Sequence, residues 1–288
     1  MRTLITGARG LVGRGLASGY RDSGQVFGMA HSDLDITSRS AVDETLTSVR
    51  PDLIFNCAVI GVDDCEKDPS LSRRVNVDGP RWLAAAAARH RAVFVHFSTN
   101  YVFSGDRTDG SFYDVDDPAH PINVYGSHKL EGEQCALEEF GDALIVRTSW
   151  VFGEGRDSFL ATVPSKLAEG TPVSAIEDVF ASATWVVDLV RRVAELVERR
   201  ASGIFHVTNE GVLSYADFAE EAGIVLGLDP DRRVELIERT SESAARRLAA
   251  RPRWTPMRCS RTAELGLPPL RPWQAALGEY VGGVVRSQ

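Results

Sequence analysis

The sequence predicts an α/β fold, a doubly wound parallel sheet with a smaller, interwoven C-terminal lobe. Five apolar runs of strand length recur in the first half of the chain, with helix-like stretches between them: TLITG (3 to 7), VFGMA (26 to 30), DLIFNCA (52 to 58), AVFVHFS (92 to 98) and ALIVRTS (143 to 149). Strict alternation of strand and helix predicts parallel strands joined by right-handed crossovers. The runs are almost continuously apolar, which is typical of strands buried on both faces.

The helix-like stretches follow the strands in order: GLASGYRDS, SAVDETLTSV, PSLSRRVNVDGPRWLAAAAAR and the segment that contains Tyr125 and Lys129. After Trp150 the alternation of strands and helices becomes less regular. A helix is predicted in SFLATVPSKLAEG, a strand in PVSAI, a helix in TWVVDLVRRVAELVERR and a strand in GIFHVTN. From Ser214 onwards, helical segments alternate with proline-rich turns.

This less regular order of elements after Trp150 predicts two interwoven lobes without a flexible linker. The first lobe, residues 1–155, forms the main sheet, and a segment at about 184–210 returns to it. The second lobe consists of 156–183 and 211–288 and is expected to bind substrate.

Bulk properties narrow the classes of function. The chain has 288 residues, and its formal net charge of −8 argues against a nucleic-acid partner bound through a broad basic surface. Cys57, Cys65, Cys135 and Cys259 form no CxxC motif, so neither a zinc site nor a disulfide framework is expected. No apolar segment reaches the length of a membrane span and no secretory signal pattern is present, so a cytoplasmic protein without a membrane partner is expected.

Three glycines, Gly7, Gly10 and Gly13, directly follow the first strand in TLITGARGLVGRGL, at the start of a helix. Such glycines allow a tight turn and let backbone N–H groups approach a diphosphate at the positive end of the helix. The spacing is GxxGxxG rather than GxGxxG, and a purely structural turn is the alternative. The position after the first strand favours nucleotide binding by a Rossmann sheet.

The end of the second strand bears on the choice of dinucleotide. Sites that prefer NAD usually have a carboxylate there to bind the ribose 2′-hydroxyl. This strand ends in GMAHS, without an acid at its tip. Arg9, His31 and Ser32 could meet a 2′-phosphate through charge-assisted hydrogen bonds. NADPH is therefore the expected cofactor, and NADH stays open because Asp33 and Asp35 follow closely.

A tyrosine and a lysine, Tyr125 and Lys129, lie four residues apart in INVYGSHK. On a helix the two side chains are neighbours, so the positive charge favours ionisation of the phenol. An ordinary surface pair is the alternative. Thr99 follows the fourth strand, and in open parallel sheets the ligand crevice lies at the carboxyl ends of the strands. A hydroxyl, a phenol and an ammonium at one crevice can transfer protons.

Four motifs occur in order along the chain: TGxxGxxG, STNYVFSG, NVYGSHKLEGE and RTSWVFG. In these motifs the sequence resembles the extended short-chain dehydrogenase/reductases, and specifically the dTDP-4-dehydrorhamnose reductase group, which reduces 4-keto-6-deoxy sugar nucleotides. The likeness runs almost from end to end and includes PDLIFNCA, VDDCEKDP, VNVDGP and RPWQAALGEYV. It implies NADPH-dependent reduction of the C4 ketone of a dTDP-4-keto-6-deoxyhexose.

The resemblance also implies roles for individual residues. Tyr125 would donate the proton, Lys129 would be its charged neighbour and bind the nicotinamide ribose, and Thr99 would hydrogen-bond the substrate carbonyl. The expected cofactor contacts are Gly7, Arg9, Gly10, Leu11, Val12, Gly13, His31, Ser32, Asp35, Ile36, Cys57, Ala58, Val59, Asn76, Ser98, Tyr125, Lys129 and Ser149. The expected substrate contacts are Asn100, Tyr101, Trp150 and Arg253. A buried structural role is the alternative for Asn76, and core packing is the alternative for Trp150.

A nucleotide diphosphate that approaches a chain of net charge −8 needs clustered cations. The C-terminal lobe offers such a cluster around Trp254, which consists of Arg246, Arg247, Arg251, Arg253 and Arg258. The indole of Trp254 could stack on a base. The alternative is a solvated basic segment with a tryptophan in the core.

The sequence departs from the family pattern at three places. Asn100 occupies a position where related proteins usually have an aspartate, so the hydroxyl pattern of the bound sugar is expected to differ. Family members that bind Mg²⁺ between subunits have an acidic residue after the third glycine, whereas Arg14 stands here, so no metal is expected. A proline common before the TWVVDL helix is absent from FASAT, which predicts a reshaped pocket wall.

Two other functions stay open. The family includes a non-catalytic auxiliary subunit of methionine adenosyltransferase, which keeps the fold and binds nucleotide, although the intact set of Thr99, Tyr125 and Lys129 favours an enzyme. The other is a sugar-nucleotide epimerase or dehydratase. The 4,6-dehydratases carry an Asp-Glu pair after the threonine, whereas this chain has Asn100 and Tyr101. The identity of the sugar and the oligomeric state stay open, with a homodimer as one option.

Overall fold

The computed structural model describes residues 1–155 and 158–286. The predicted limits of the second lobe at 156 and 288 lie outside the described residues. The strands are β1 (Arg2–Thr6), β2 (Gln25–Met29), β3 (Leu53–Asn56), β4 (Val93–Thr99), β5 (Leu144–Thr148), β6 (Val151–Phe152), β7 (Val173–Ile176), β8 (Phe180–Ala181), β9 (Thr184–Trp185), β10 (Gly203–His206), β11 (Ile237–Thr240) and β12 (Trp254–Thr255). The α-helices are α1 (Leu11–Gly19), α2 (Arg39–Val49), α3 (Val62–Lys67), α4 (Pro69–Arg73), α5 (Gly79–His90), α6 (Val124–Glu139), α7 (Phe159–Ala168), α8 (Val186–Glu198), α9 (Tyr215–Val225), α10 (Pro230–Leu236), α11 (Ser260–Glu264) and α12 (Trp273–Arg286).

Six parallel strands form the central sheet, in the order β10-β5-β4-β3-β1-β2. Thr3 of β1 lies opposite Val26 of β2 on one side and Leu53 of β3 on the other. The five runs predicted as strands in the first half of the chain all lie in this sheet. The strand predicted in GIFHVTN is β10, which pairs with β5 at the edge. The predicted fold class, a doubly wound parallel α/β sheet, is confirmed.

Alternate residues of the central strands pack against opposite faces of the sheet, as the two-residue period of a strand requires. The face that packs on α2, α5 and α6 contributes Leu4, Ile54, Phe94 and Ile145. The face that packs on α1 and α8 contributes Ile5, Phe55, Val95 and Val146. Burial on both faces explains why the strand runs are apolar throughout.

The stretch predicted as one helix after residue 69 is divided in the structure. A π-helical turn over Arg74–Asp78 separates α4 from α5. Pro80 has no N–H to donate to the carbonyl of Asn76, so regular α-helical hydrogen bonding cannot continue at this point. The turn brings the Asn76 carbonyl against α6, where a side chain in place of Gly132 would overlap it.

Three short parallel ladders lie outside the main sheet and pair β7 with β11, β8 with β12, and β6 with β9. Two of these ladders, β7 with β11 and β8 with β12, join segments that lie before and after β10 in the sequence. This is the interwoven connectivity that the less regular order of elements after Trp150 indicates. The assignment of substrate binding to residues 156–183 and 211–288 stays a prediction. In the described part of the chain, no helix combines the length and apolar character that a membrane crossing needs.

Candidate active site

A cavity of about 650 Å³ opens at the carboxyl ends of β3, β4 and β5. This edge is where open α/β sheets bind their ligands. Thr99, Tyr125 and Lys129 all line the cavity, and so do Ser98, Asn100, Tyr101, Ser149 and Trp150. The structure therefore brings the three candidate proton-transfer residues together, although they come from β4 and α6.

Tyr125 lies in the first turn of α6, whose start is fixed by Asn123. The side-chain oxygen of Asn123 accepts a hydrogen bond from Gly126 N–H (2.7 Å), and its amide donates to the Ala250 carbonyl (2.8 Å). A side chain at Gly126 would overlap the backbone of Tyr101, so glycine permits this close approach. The rings of Tyr101 and Tyr125 meet edge to face, with centroids 5.8 Å apart. These contacts hold Tyr125 at the cavity wall.

Lys129 lies one turn further along α6 and is only 2% exposed. Its Nζ donates to the Phe97 carbonyl (2.6 Å) and lies 3.1 Å from Nε2 of His96. Burial lowers the pKa of Lys129 to about 8, against an opposing effect of Glu133. The amine therefore titrates close to neutral pH, which the four-residue spacing alone does not indicate.

Polar side chains continue from Lys129 into the sheet. Nδ1 of His96 lies 3.0 Å from Nδ2 of Asn56. The side-chain oxygen of Asn56 accepts hydrogen bonds from Thr6 Oγ1 (2.7 Å) and from Ala58 N–H (3.3 Å). Burial lowers the pKa of His96 well below its usual value, so its imidazole is neutral. Sequence reasoning missed His96, although a polar residue inside the apolar run AVFVHFS is a signal that could have found it.

A buried ion pair lies one turn beyond Lys129 on α6. Nη2 of Arg147, from β5, is 2.7 Å from Oε2 of Glu133. Ser98, an expected cofactor contact, lines the cavity, but its hydroxyl donates to Glu133. Sequence reasoning also missed this pair, because the two residues are distant in the chain.

Thr99 and Asn100 are hydrogen-bonded to each other at the end of β4. The hydroxyl of Thr99 accepts from Tyr101 N–H (3.1 Å) and donates to the side-chain oxygen of Asn100 (3.2 Å). The amide of Asn100 donates to Thr255 Oγ1 (2.7 Å). Asn100 therefore uses both its acceptor and its donor, and an aspartate could make only the first of these bonds without a change at Thr255.

The glycine loop makes a tight turn between β1 and α1. Gly7 has φ +62°, and a Cβ on it would lie 2.6 Å from the carbonyl of Cys57 and 2.7 Å from the nitrogen of Ala58. Gly10 N–H donates to the Gly7 carbonyl (2.9 Å). Gly10 gives α1 no side-chain cap, so the first N–H groups of this helix can bind an anion.

A second cavity, of about 390 Å³, is lined by Gly7, Gly10, His31, Asp35 and Ile36. Cys57, Ala58 and Val59, the loop after β3, line both cavities. The carboxylate of Asp35 accepts from the N–H (2.9 Å) and the hydroxyl (2.8 Å) of Thr37. The Thr37 backbone N–H lowers the pKa of Asp35, so a carboxylate faces this second cavity.

Leu11 and Val12 line the first cavity, whereas four of the expected cofactor residues line neither cavity: Arg9, Gly13, Ser32 and Asn76. Arg9 and Ser32 are exposed, and their contacts with a cofactor stay predictions. Gly13 packs against the Gly7 carbonyl, which leaves no room for a side chain. Asn76 is fully buried and its side-chain oxygen accepts from Ile60 N–H (3.1 Å), which agrees with the structural alternative.

Aromatic side chains form one wall of the first cavity. Trp150 stacks on Tyr215, with ring centroids 4.0 Å apart, and Phe159 meets the same ring edge to face at 5.3 Å. The guanidinium of Arg247 lies 5.8 Å from the centre of the Tyr215 ring. Ser149 lines this cavity, and its hydroxyl is buried and has no hydrogen-bond partner within the described part of the chain.

The structure brings two arginines of the predicted cluster to the cavity, but not the one expected to contact substrate. Arg253 is exposed and lines neither cavity, whereas Arg247 and Arg251 line the first. Pairing of β12 with β8 orients this segment, and Phe180 N–H donates to the Arg253 carbonyl (2.7 Å). A substrate contact of Arg253 therefore gains no support from the geometry.

Trp254 is half-buried and packs against neighbouring residues. Its indole N–H donates to the Ser111 carbonyl (2.8 Å), and its ring lies 5.4 Å from that of Phe180. These contacts favour the packing alternative over base stacking. The described residues contain no group of three or more His, Cys, Asp or Glu side chains that could hold a metal ion.

Comparison with known proteins places this site in a family. The chain is 38% identical over 286 residues to a dTDP-4-dehydrorhamnose reductase from Streptomyces griseus, covering 96% of this chain and 92% of that protein. It is 37% identical over 293 residues to a probable dTDP-4,6-dihydroxy-2-methyloxan-3-one 4-ketoreductase from Streptomyces antibioticus, covering 100% and 97%. The crystal structure of dTDP-4-dehydrorhamnose reductase from Bacillus anthracis in complex with NADP is similar with a TM-score of 0.90 and 30% identity, over 97% of this chain and 98% of that chain. The family model described as the RmlD substrate binding domain matches residues 1–285. The resemblance inferred from the four motifs is thus confirmed, and the chain belongs to the RmlD substrate binding domain family.

Proposed function

We propose that this chain is an NADPH-dependent oxidoreductase that reduces the C4 ketone of a dTDP-4-keto-6-deoxyhexose. The observation that carries the proposal is that Thr99, Tyr125 and Lys129 line one cavity at the carboxyl ends of the strands. Relatives that are 37% and 38% identical over nearly the full chain bear the names of such reductases.

The residues of the two cavities fit a dinucleotide. Gly7 lets the loop turn tightly against the backbone of Cys57 and Ala58, and the uncapped N–H groups at the start of α1 suit a diphosphate. The apolar second cavity suits an adenine, and the unpartnered hydroxyl of Ser149 is available to a nicotinamide in the first. NADPH, when bound, supplies the hydride for the reduction. The selection of NADPH by Arg9, His31 and Ser32 remains part of the proposal.

Tyr125 is the proposed proton donor. The ketone oxygen becomes an alkoxide as C4 accepts the hydride, and the phenol O–H protonates it. The hydroxyl of Thr99, which donates to Asn100 in the structure, can turn to donate to the same oxygen. A free phenol has a pKa near 10, and a charged Lys129 one turn away would lower it.

The aromatic wall and the two arginines are the proposed contacts for the nucleotide sugar. Trp150 and Tyr215 offer a stacked apolar surface. Arg247 carries the charge that a diphosphate needs, since its partner Glu242 is 3.5 Å away and burial raises the pKa of that carboxyl. Arg251 is more firmly engaged, with Nη2 2.7 Å from Asp63.

The test is oxidation of NADPH, followed by its absorbance, with a panel of dTDP-4-keto-6-deoxyhexoses. We expect turnover with at least one member of the panel, and a loss of about 10²- to 10⁴-fold for Tyr125→Phe. Tyr20→Phe is the matched control, because Tyr20 follows the end of α1 and lines neither cavity. Full turnover by Tyr125→Phe would falsify the assignment of the proton donor.

Cofactor preference is measured in the same assay by comparing kcat/KM for NADPH and NADH. We expect NADPH to be preferred and His31→Ala to reduce that preference, since His31 lines the second cavity near Asp35. A strong preference for NADH would contradict the proposed cofactor.

A homodimer also remains a proposal, and sedimentation equilibrium of the purified chain decides it.

A further inference from the structure

The hydrogen bonds that lead to Lys129 have a direction, which is set by a backbone N–H. A backbone N–H can only donate, so the Ala58 N–H, 3.3 Å from the Asn56 side chain, identifies the atom it faces as the amide oxygen. Thr6 Oγ1 donates to the same oxygen (2.7 Å). The NH₂ group of Asn56 therefore faces Nδ1 of His96 at 3.0 Å.

This orientation fixes the tautomer of His96. The NH₂ group of Asn56 can only donate, so Nδ1 of His96 accepts. A neutral imidazole carries one N–H, which then lies on Nε2. Nε2 is 3.1 Å from Nζ of Lys129. An ammonium has three donors and no acceptor, so two donors would face each other there, whereas a neutral amine accepts the Nε2–H.

We propose that His96 is a positioning residue that holds Lys129 as a neutral amine in the cofactor-free chain. Lys129 then accepts from His96 and donates to the Phe97 carbonyl (2.6 Å). For Lys129 to become an ammonium in this network, the imidazole must move its N–H to Nδ1, the Asn56 amide must reverse, and Ala58 N–H must lose its acceptor. The charge of Lys129 and the orientation of Asn56 therefore change together.

The consequence for catalysis rests on the proposed function. A neutral Lys129 cannot be the charged neighbour of Tyr125, so a proton must be taken up before Lys129 assists the phenol. Ala58 lines both cavities, so a ligand oxygen that accepted from its N–H would compete with Asn56 for this donor and favour the reversed amide. Loading of the cavities and charging of Lys129 are thereby linked.

The titratable groups that face Lys129 are a carboxylate, two thiols, a phenol and the imidazole: Glu133, Cys57, Cys65, Tyr125 and His96. Glu133 favours the ammonium, but Arg147 and Ser98 bind its carboxylate. Burial raises the pKa of both thiols, so they are uncharged near neutral pH. Burial is the largest effect and lowers the pKa of Lys129 to about 8 against the opposing effects of Glu133 and the two thiols, and a role as hydrogen-bond acceptor favours the neutral amine further.

The tautomer of His96 is measured by long-range ¹H–¹⁵N NMR of the full chain without cofactor. The chain has six histidines, and the signals lost in His96→Gln assign His96. We expect the Nε2–H form, with Nδ1 unprotonated. An Nδ1–H imidazole or an imidazolium at neutral pH overturns the proposal, and the wild-type spectrum requires no altered side chain in the site.

The charge of Lys129 is measured by the ¹³Cε signal of labelled lysine as pH is varied. The other two lysines, Lys67 and Lys166, are exposed, so replacing both by arginine leaves Lys129 as the only signal. We expect a midpoint below the value of about 8 to which burial, opposed by the facing charges, brings the pKa of Lys129. In that background, Asn56→Ala frees the imidazole to choose its tautomer and Asn56→Asp accepts an Nδ1–H. Both should raise the midpoint, by about one pH unit or more.

The proposal is overturned if the midpoint of the Lys129 titration does not rise in Asn56→Ala. A rise in Asn56→Asp alone does not rescue it, because that rise reports only the added charge. These measurements require no turnover. An Nε2–H tautomer in a chain that fails to oxidise NADPH with the sugar panel would contradict the proposed function and leave the state of Lys129 as inferred. Turnover of the sugar panel by a chain whose His96 carries the Nδ1–H tautomer would support the proposed function and contradict the inferred state of Lys129.

Discussion

Arg147 binds Glu133 through two nitrogens, with Nε 3.0 Å from Oε1 and Nη2 2.7 Å from Oε2, and both residues are at most 3% exposed. The pair links β5 to α6, the helix that carries Tyr125 and Lys129. Arg147 also lies over the ring of Phe103, 5.3 Å from its centre. The pair therefore holds the helix against the sheet at the base of the candidate site.

Removing one partner of this ion pair should be costly. We expect Arg147→Met to lower the free energy of unfolding by about 3 to 5 kcal/mol, because it leaves a buried carboxylate without its cation. Adding Glu133→Leu to Arg147→Met should recover most of the loss. Urea unfolding of the two single variants and the double variant measures the coupling.

The surface ion pair between Arg73 of α4 and Glu131 of α6 is the matched control, since its side chains are 48% and 35% exposed. We expect Arg73→Met to cost less than about 1 kcal/mol. A similar cost for Arg73→Met and Arg147→Met would show that the buried pair does not hold α6 against the sheet.

Lys129 should make stability depend on pH in a defined window. Its pKa is lowered from 10.5 to about 8 in the fold. Below pH 8 the buried ammonium costs about 3 kcal/mol. Between pH 8 and 10.5 the unfolded chain binds more protons than the folded one, so stability rises with pH, and above 10.5 the cost has disappeared. If His96 holds the amine neutral, the lower limit of this window lies below 8.

Lys129→Met removes this cost at every pH. We expect its advantage over the wild type in the free energy of unfolding to be largest below pH 8 and to shrink by about 3 kcal/mol by pH 10.5. Urea unfolding at a series of pH values gives the difference, in which groups common to both proteins cancel. Lys166→Met, at an exposed lysine, should show no such trend. A difference that does not change with pH would mean that Lys129 titrates normally.

Substitutions at two glycines with positive φ can separate the effect of steric overlap from that of backbone strain. Gly7 and Gly110 have similar φ angles, +62° and +73°, but a Cβ would meet the backbone of Cys57 only at Gly7 and nothing within 4 Å at Gly110. We expect Gly110→Ala to cost about 1 kcal/mol through strain alone. Gly7→Ala should cost more and weaken NADPH binding more than tenfold, measured by urea unfolding and fluorescence titration. Equal effects of the two substitutions on NADPH binding would argue against a diphosphate bound at the glycine loop.

The strands and the glycine loop could be predicted because their signals are local. A buried parallel strand needs a continuous apolar run, and a turn such as that at Gly7 needs a residue that tolerates positive φ. The Tyr125 and Lys129 pair is also local, since helical spacing alone makes the two residues neighbours. Thr99 reaches the same cavity because parallel strands share one carboxyl edge.

The partners of these residues could not be predicted in the same way. His96 and Glu133 meet Lys129, and Asn56 meets His96, only through the register of the strands and the packing of α6. The choice among the arginines near Trp254 depends on which side chains the β8–β12 ladder turns toward the cavity. Arg253 follows the pattern in sequence but points elsewhere, which no spacing rule would reveal.

Asn100 should influence which sugar is accepted. Its side-chain oxygen accepts from Thr99, and its amide donates to Thr255 (2.7 Å). In Asn100→Asp the hydroxyl of Thr255 can turn to donate, so we expect a change below about 1 kcal/mol in the free energy of unfolding. The donor that Asn100 could offer to a sugar hydroxyl is lost, however. The ratio of kcat/KM between two dTDP-4-keto sugars that differ in one hydroxyl should therefore change by about tenfold or more. An unchanged ratio in a stable Asn100→Asp variant would mean that the sugar is recognised by other residues of the cavity, such as Trp150 or Tyr215.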